Sequence, residues 1–160
     1  MITCQFEDGG KGYLRHVTVD NIVLDKNEKK ILLVRRGPHF SHPHKLAMPG
    51  GYLNRDETIQ AAAKREVLEE TGYLIELSEI FCIVDNPHRK GEDRQNITFI
   101  NLAKVLKKVG EYDHEIEEIE WYDLDKIPSE KEFAFDHYET IQKYLKYRKK
   151  SFSLPFLKSN

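Results

Sequence analysis

Between Leu46 and Tyr73 the chain reads LAMPGGYLNRDETIQAAAKREVLEETGY, a stretch that few folds can house. Pro49-Gly50-Gly51 allows a sharp turn and a close backbone approach to a ligand, because glycine tolerates conformations closed to other residues. A helical run follows and stops at Gly72, which suits the left-handed position just past a helix. Asp56 stands as the expected N-cap, with acidic residues favourable in the first turn. Within the helix, Glu66, Glu69 and Glu70 occupy positions i, i+3 and i+4. That spacing puts three carboxylates on one face, with neighbouring Cβ atoms about 5–6 Å apart. Each like-charge pair costs a few tenths of a kcal/mol, and no basic residue precedes Glu66 by three or four positions to relieve it. A cation would.

Glutamate-rich helices are most often solvated faces. The alternative is a hard divalent ion such as Mg²⁺, held by a couple of carboxylates while waters and substrate phosphates complete its octahedron. The flanking residues decide between them. Gly51 is followed after five residues by Glu57, and Glu57 after seven by Arg65-Glu66-Val67-Leu68-Glu69-Glu70-Thr71-Gly72-Tyr73. This resembles the Nudix box, G-x5-E-x7-R-E-U-x-E-E-x-G-U, where U is bulky and apolar. All fixed positions match, and Tyr73 departs mildly from the aliphatic residue more usual there.

The resemblance implies an α/β sandwich with a mixed sheet and a loop-helix-loop catalytic motif, spanning about residues 15–147 after a lead-in at 1–14 and before a tail at 148–160. It implies Mg²⁺, with Mn²⁺ as a substitute, held by Glu66, Glu69 and Glu70 and by the Gly50 carbonyl. Glu57 joins the metal site or pairs with Arg65 to fix the helix entry; we favour the pair. Arg65, four residues before Glu69, can orient that carboxylate. Glu69 or Glu115 is the general base, Glu115 lying six residues before Trp121 as in the loop glutamate of some Nudix enzymes. The implied reaction is hydrolysis of the pyrophosphate bond in a nucleoside diphosphate linked to another group, ADP-ribose being the first guess. Pro87, fifteen residues after Gly72, lies close to a proline of the ADP-ribose pyrophosphatase branch. A nucleoside triphosphate pyrophosphohydrolase is the second reading, and a non-catalytic ADP-ribose sensor a third; the intact glutamates and the lack of a helix-turn-helix segment argue against the sensor.

The rest of the chain fits such a domain. A length of 160 residues suffices for one domain with a sizeable core. Lys plus Arg total 25 against 27 Asp plus Glu, a formal charge of −2, so phosphate binding must be local and nucleic acid is not an expected partner. A small-molecule nucleotide is, and a homodimer is compatible with everything read here. Cys4 and Cys82 lack zinc or disulfide spacing and read as reduced thiols. No apolar run is long enough to span a bilayer and no leader pattern opens the chain, so a cytoplasmic protein is expected.

In chain order, Ile2 to Phe6 reads as a short strand, and Arg15–Leu24 and Lys30–Val34 as a hairpin that delivers Arg35 and Arg36 to a strand end where guanidinium groups can meet phosphate. Gly37 to Lys45 is a loop whose His39, His42 and His44 lack a neighbouring carboxylate or cysteine, and is read as a plain or substrate-facing loop rather than a metal site; Lys45 is better placed to touch substrate. In the box helix Ile59, Ala62, Ala63 and Val67 form an apolar line, with Ala61 and Leu68 opposite, predicting packing on more than one side. Leu74–Val84 and Ile97–Val105 read as strands, the first interrupted at Glu76 to Glu79. The polar loop between them, residues 85–96, brings Arg89 and Arg94 as further substrate contacts. Ile116, Ile119 and Trp121 suggest a last short strand. Phe135 to Tyr147 forms a helix packing on the sheet, and Phe152, Leu154 and Phe156 lie in a tail expected to fray or to dock on a partner.

Overall fold

The computed structural model describes residues 2–91 and 94–159; Glu92 and Asp93 of the predicted specificity loop, and the two terminal residues, lie outside the described residues. In order the elements are β1 (Ile2–Gln5), β2 (Lys11–Leu14), β3 (Val17–Leu24), β4 (Lys30–Arg36), β5 (Leu46–Ala47), β6 (Gly50–Tyr52), α1 (Ile59–Thr71), β7 (Tyr73–Val84), β8 (Ile97–Lys108), β9 (Ile116–Asp123), a 3-10 turn at Glu130–Glu132, α2 (His137–Lys149) and β10 (Phe156–Lys158). The first two strands pair only with each other as a hairpin. All other strands form one sheet, ordered β10-β7-β8-β3-β4-β5, with β6 on β3 and β9 on β4.

This sheet is mixed, as expected. β8 runs parallel to β3 and β10 parallel to β7, while the other pairs are antiparallel. β3 is buried from Thr18 to Leu24, and a run apolar on both sides of the pleat requires a layer on each face. One set of side chains, Val19 and Val23, faces α1 with Ala62, Ala63 and Val67. The other, Ile22 and Leu24, joins Phe81, Ile141 and Tyr144 beneath α2. The result is a helix–sheet–helix sandwich.

Alanines at 62 and 63 let α1 lie close on the sheet. Ala61 and Leu68 face solvent, so the helix buries one side rather than the two predicted: a helix on the outer face of a sandwich has only the sheet to pack against. Its N-cap is Thr58, whose Oγ1 accepts the Ala61 N–H at 3.1 Å, and not Asp56; two residues earlier the backbone is still in the turn. Gly72 ends the helix at φ 71°, and its amide donates to the Leu68 carbonyl. β7 runs through Glu76 to Glu79 without a break, its irregularity taken up by register shifts against β8.

Residues after α2 do not fray. Phe152 and Phe156 pack against Phe81, with ring centroids 6.3 and 5.2 Å away, and Tyr144 and Tyr147 close the cluster at 5.8 Å each. β10 thus covers the outer edge of β7, which an uncovered strand would present as unpaired backbone. Phe81 is the hub, fully buried. Phe81→Ala is expected to cost about 3–5 kcal/mol in urea denaturation, with the near-ultraviolet aromatic signal collapsing.

Candidate active site

At one end of the sheet lies a cavity of about 670 Å³, bounded by the turn before α1, the glutamate face of α1, and the loops before β5, β8, β9 and α2. Gly50 and Gly51 form its wall because β6 lies against β3, Asp20 opposite Gly50 and Val19 opposite Gly51. A Cβ on Gly50 would come 2.1 Å from the Val19 carbonyl oxygen, and one on Gly51 would come 2.5 Å from the Glu66 carboxylate. No side chain fits at Gly50, where the obstacle is backbone, and one at Gly51 would displace the Glu66 carboxylate.

Arg65 organises the carboxylates. Its Nε and Nη2 donate to the two oxygens of Glu57 at 2.8 and 2.9 Å, a two-pronged ion pair. Nη1 donates to Glu66 at 2.8 Å and to Glu69 at 2.9 Å, and Nη2 also reaches the Tyr52 carbonyl. The Arg65 hydrogen bonds hold the Glu57 carboxyl below its ordinary value. Glu70 is buried on the far side and accepts the Gly50 N–H at 2.9 Å. Burial pushes Glu70 well above the usual carboxylate range, against the pull of the Gly50 amide, and raises Glu66 against the pull of Arg65.

Among the described residues no three His, Cys, Asp or Glu side chains converge as they would around a bound ion; Glu66 and Glu69 turn to Arg65 instead. The donor chemistry nevertheless fits a hard divalent cation. A buried carboxylate, Glu70, and a half-buried one, Glu66, are both raised by desolvation, Glu69 adjoins them, and the Glu57 fork anchors Arg65 independently of Glu66 and Glu69. Mg²⁺ or Mn²⁺ would be held by these three glutamates, with the Gly50 carbonyl beside them.

Of the other predicted residues, Arg36, Arg89, Arg94 and Glu115 line the cavity. Arg36 lies over the rings of Phe135 and Phe40, 5.2 and 6.0 Å from their centroids, and Arg94 donates to the Tyr52 hydroxyl. Arg35 and Lys45 do not line it. Arg35 is taken by Glu118 and Glu120, each at 3.4 Å, because alternation along β4 and a register shift at Arg35/Arg36 aim the two arginines apart. Lys45 Nζ donates to the Lys131 carbonyl. The three loop histidines separate: His39 lines the cavity, His42 stacks on Phe135 at 4.5 Å, and His44 pairs with Glu117. Pro87 is exposed and lies off the cavity.

Of the cavity floor, sequence reasoning named only Arg89, as a substrate contact, whereas the structure ties it into a buried polar network. Asp20, Arg89, Asp136 and His137 are buried together. Arg89 donates from Nε to Asp136 at 2.8 Å and from Nη1 to Thr98 at 2.7 Å, with Nη2 3.6 Å from Asp20. His137 Nδ1 accepts the Met48 N–H at 3.0 Å, and its Nε2 lies 3.3 Å from an Asp20 carboxylate oxygen. Burial works to raise both acids, yet His137 and Arg89 hold Asp20 below its ordinary value, and Arg89 with Lys158 brings Asp136 down to about 2. The available signal was a charged residue, Asp20, inside the β-run VTVDNIVL. Phe135, also missed, sits at φ 52°, a conformation costly for a bulky residue and frequent where structure serves a site.

A NUDIX domain model matches residues 14–144. The chain belongs to the Nudix family. An ADP-ribose pyrophosphatase of Methanocaldococcus jannaschii is 30% identical over 137 residues, covering 82% of this chain and 74% of that protein. An ADPR-responsive transcriptional repressor, NtrR, of Acinetobacter baylyi is 28% identical over 79% of this chain and 51% of its own length, so the chain spans about half of that relative. A Nudix hydrolase from Nitrosomonas europaea superposes with a TM-score of 0.75 at 21% identity, covering 98% of this chain and 92% of that one. Enzymes of this family generally need a divalent ion. No helix among the described residues is long and apolar enough to cross a membrane.

Two outcomes follow for this Nudix protein. Glu70→Gln keeps an acceptor for Gly50 while removing a buried charge, so without metal it should melt at or above the wild type, and Mg²⁺ should raise the melting temperature of the wild type alone. Asp136→Asn leaves Arg89 buried beside one charge fewer and should cost about 3–5 kcal/mol at neutral pH. A carboxyl held at about 2, against 3.8 ordinarily, stabilises the fold above the higher value and loses that contribution as pH falls toward the lower. The gap between wild type and variant in urea denaturation should therefore close as pH falls from about 4 to about 2.

Proposed function

We propose that this Nudix hydrolase cleaves the pyrophosphate bond of a nucleoside diphosphate linked to another group, using Mg²⁺, with ADP-ribose as the first substrate to test. One observation carries the reading: the carboxylate cluster of α1 opens onto the same cavity as Arg36, Arg94 and the rings of Phe40, Phe135 and Tyr52. A cavity that combines charged groups with aromatic rings suits a ligand that carries both a diphosphate and a base or sugar.

A pyrophosphate is inert chiefly because its anionic oxygens repel a nucleophile. The bound ion supplies neutralisation of those oxygens and a lowered pKa for the attacking water. Glu66, Glu69 and Glu70 hold it, Arg65 orients Glu69, and Glu57 holds Arg65. Arg36 and Arg94 meet the remaining phosphate charge. Glu115, which lines the cavity on the loop before β9, takes the proton from the water; Glu69 is the alternative base, and its engagement with Arg65 makes it the weaker candidate. The products would be a nucleoside monophosphate and the other phosphorylated half.

The second reading, an ADP-ribose sensor without turnover, draws on the likeness to the repressor. An intact set of box glutamates favours the enzyme. Purified protein should turn over ADP-ribose or a related diphosphate faster than any nucleoside triphosphate, and turnover confined to triphosphates would overturn the substrate class. Glu66→Gln and Glu70→Gln should each lower kcat about a hundredfold or more, the scale of losing one contact that stabilises transition-state charge; equal background rates in all three proteins would favour the sensor.

A further inference from the structure

We infer that Lys158, on the added strand β10, is a positioning residue for the cavity floor: through Asp136 it fixes Arg89 and the segment that leaves β7. The inference rests on reading the cavity as the substrate site. β10 lies outside residues 14–144, the part matched by the family model, while Asp136 and Arg89 lie within it.

Register puts Lys158 where it can act. It pairs with Val84, the last residue of β7, and its carbonyl accepts the Asp85 N–H at 3.3 Å. Alternation along β10 sends Phe156 and Lys158 to the α2 side while Leu157 stays exposed. Lys158 Nζ donates to Asp136 Oδ2 at 2.7 Å and, at the surface, to Glu139 at 3.0 Å. Asp136 gives its other oxygen to Arg89, at 2.8 Å from Nε and 2.6 Å from Nη2. Arg89 then reaches Thr98 on β8 and Asp20 on β3. Asp20 faces His137, which holds the Met48 amide two residues before Gly50, and the Gly50 amide holds Glu70. Hydrogen bonds and ion pairs thus lead from β10 through Asp136, Arg89, Asp20 and His137 to the Met48 amide, and the Met48–Gly50 backbone continues from there to Glu70.

Charge gives the run its consequence. Among the described residues Arg89 and Lys158 are the cations that face Asp20 and Asp136. Without Lys158 the floor loses a positive charge in a poorly solvated place, beneath a cavity that must accept an anionic diphosphate. Arg89 is also left with a less firmly held partner. Such a defect weakens ground state and transition state alike, which raises KM and leaves kcat nearly unchanged.

The experiment compares Lys158→Met, Lys158→Arg and Glu139→Gln in the full chain, by amide exchange of residues 85–91 and by steady-state kinetics with the diphosphate substrate and Mg²⁺. Lys158→Met should speed exchange in that segment and raise KM about fivefold to tenfold with kcat within about twofold. Lys158→Arg should restore both, and Glu139→Gln, which removes only the exposed partner, should match the wild type. Wild-type exchange and KM in Lys158→Met would overturn the inference. So would equal loss in the Met and Arg variants, which marks β10 as a structural prop. If no substrate is turned over, the reading of the cavity has failed on its own, and the exchange comparison still decides whether Lys158 holds the segment.

Discussion

The cavity depends on a backbone approach that leaves no room for a side chain. Gly50 and Gly51 lie flat against β3, one against the Val19 carbonyl and the other against the Glu66 carboxylate. That contact brings a peptide amide to Glu70 and sets the carboxylates of α1 beside the sheet. The helix then has one orientation open to it, because Ala62 and Ala63 must meet Val19 at the same time. A Cβ at Gly50 would push the turn off the sheet, and one at Gly51 would push the Glu66 carboxylate aside. Fold and site are therefore the same constraint seen from two sides.

Holding acids in this way is unfavourable without a counter-charge, and the metal-free protein meets that cost with Arg65. Its guanidinium touches Glu57, Glu66 and Glu69 at once. Only the Glu57 contact uses two prongs on one carboxylate. Glu57 is also the carboxylate whose titration Arg65 lowers, while Glu66 and Glu70 remain raised by burial. The arginine is thus firmly tied where it must stay and more loosely tied where an ion belongs. The helix carries its own provisional cation.

What could be read from the sequence divides along the same line. The box residues fall within 23 consecutive positions, Gly51 to Tyr73, so helical spacing sufficed to put three glutamates on one face. The longer strands β3, β4, β7, β8 and β9 and the helix α2 were legible from periodicity, whereas the short strands β2, β5, β6 and β10 were not. Residues whose roles arise from distant partners were not: Arg89 and Asp136 are 47 positions apart, and Lys158 and Asp136 are 22. Local pattern recognises a basic loop but cannot tell a guanidinium aimed at ligand from one driven into the floor. Arg35 and Lys45 show the opposite error, charges at a suitable strand end that find partners elsewhere. The N-cap failed for a related reason: Asp56 and Thr58 are both good caps, and the demand that Glu57 reach Arg65 favours a helix starting after it. The tail was misjudged because its apolar residues match an aromatic cluster centred on Phe81, some seventy residues away.

These two halves of the cavity answer to different selective demands. The carboxylate wall is fixed by local geometry, the spacing of Glu66, Glu69 and Glu70 along one helix and their contacts with Arg65 and the Gly50 amide. The floor and outer rim are assembled from loops and from an added strand, where a substitution alters charge or shape without disturbing α1. Phe135 and His42, both at positive φ and stacked on each other, belong to that second half, and Arg36 bridges the two from the end of β4. A chain built this way can change the group it accepts while keeping the bond it cuts. Discrimination among diphosphates should accordingly reside in the contacts of Arg36, Tyr52, Arg94 and Phe135 over the network of Asp20, Arg89 and Asp136, rather than in the helix that does the cutting.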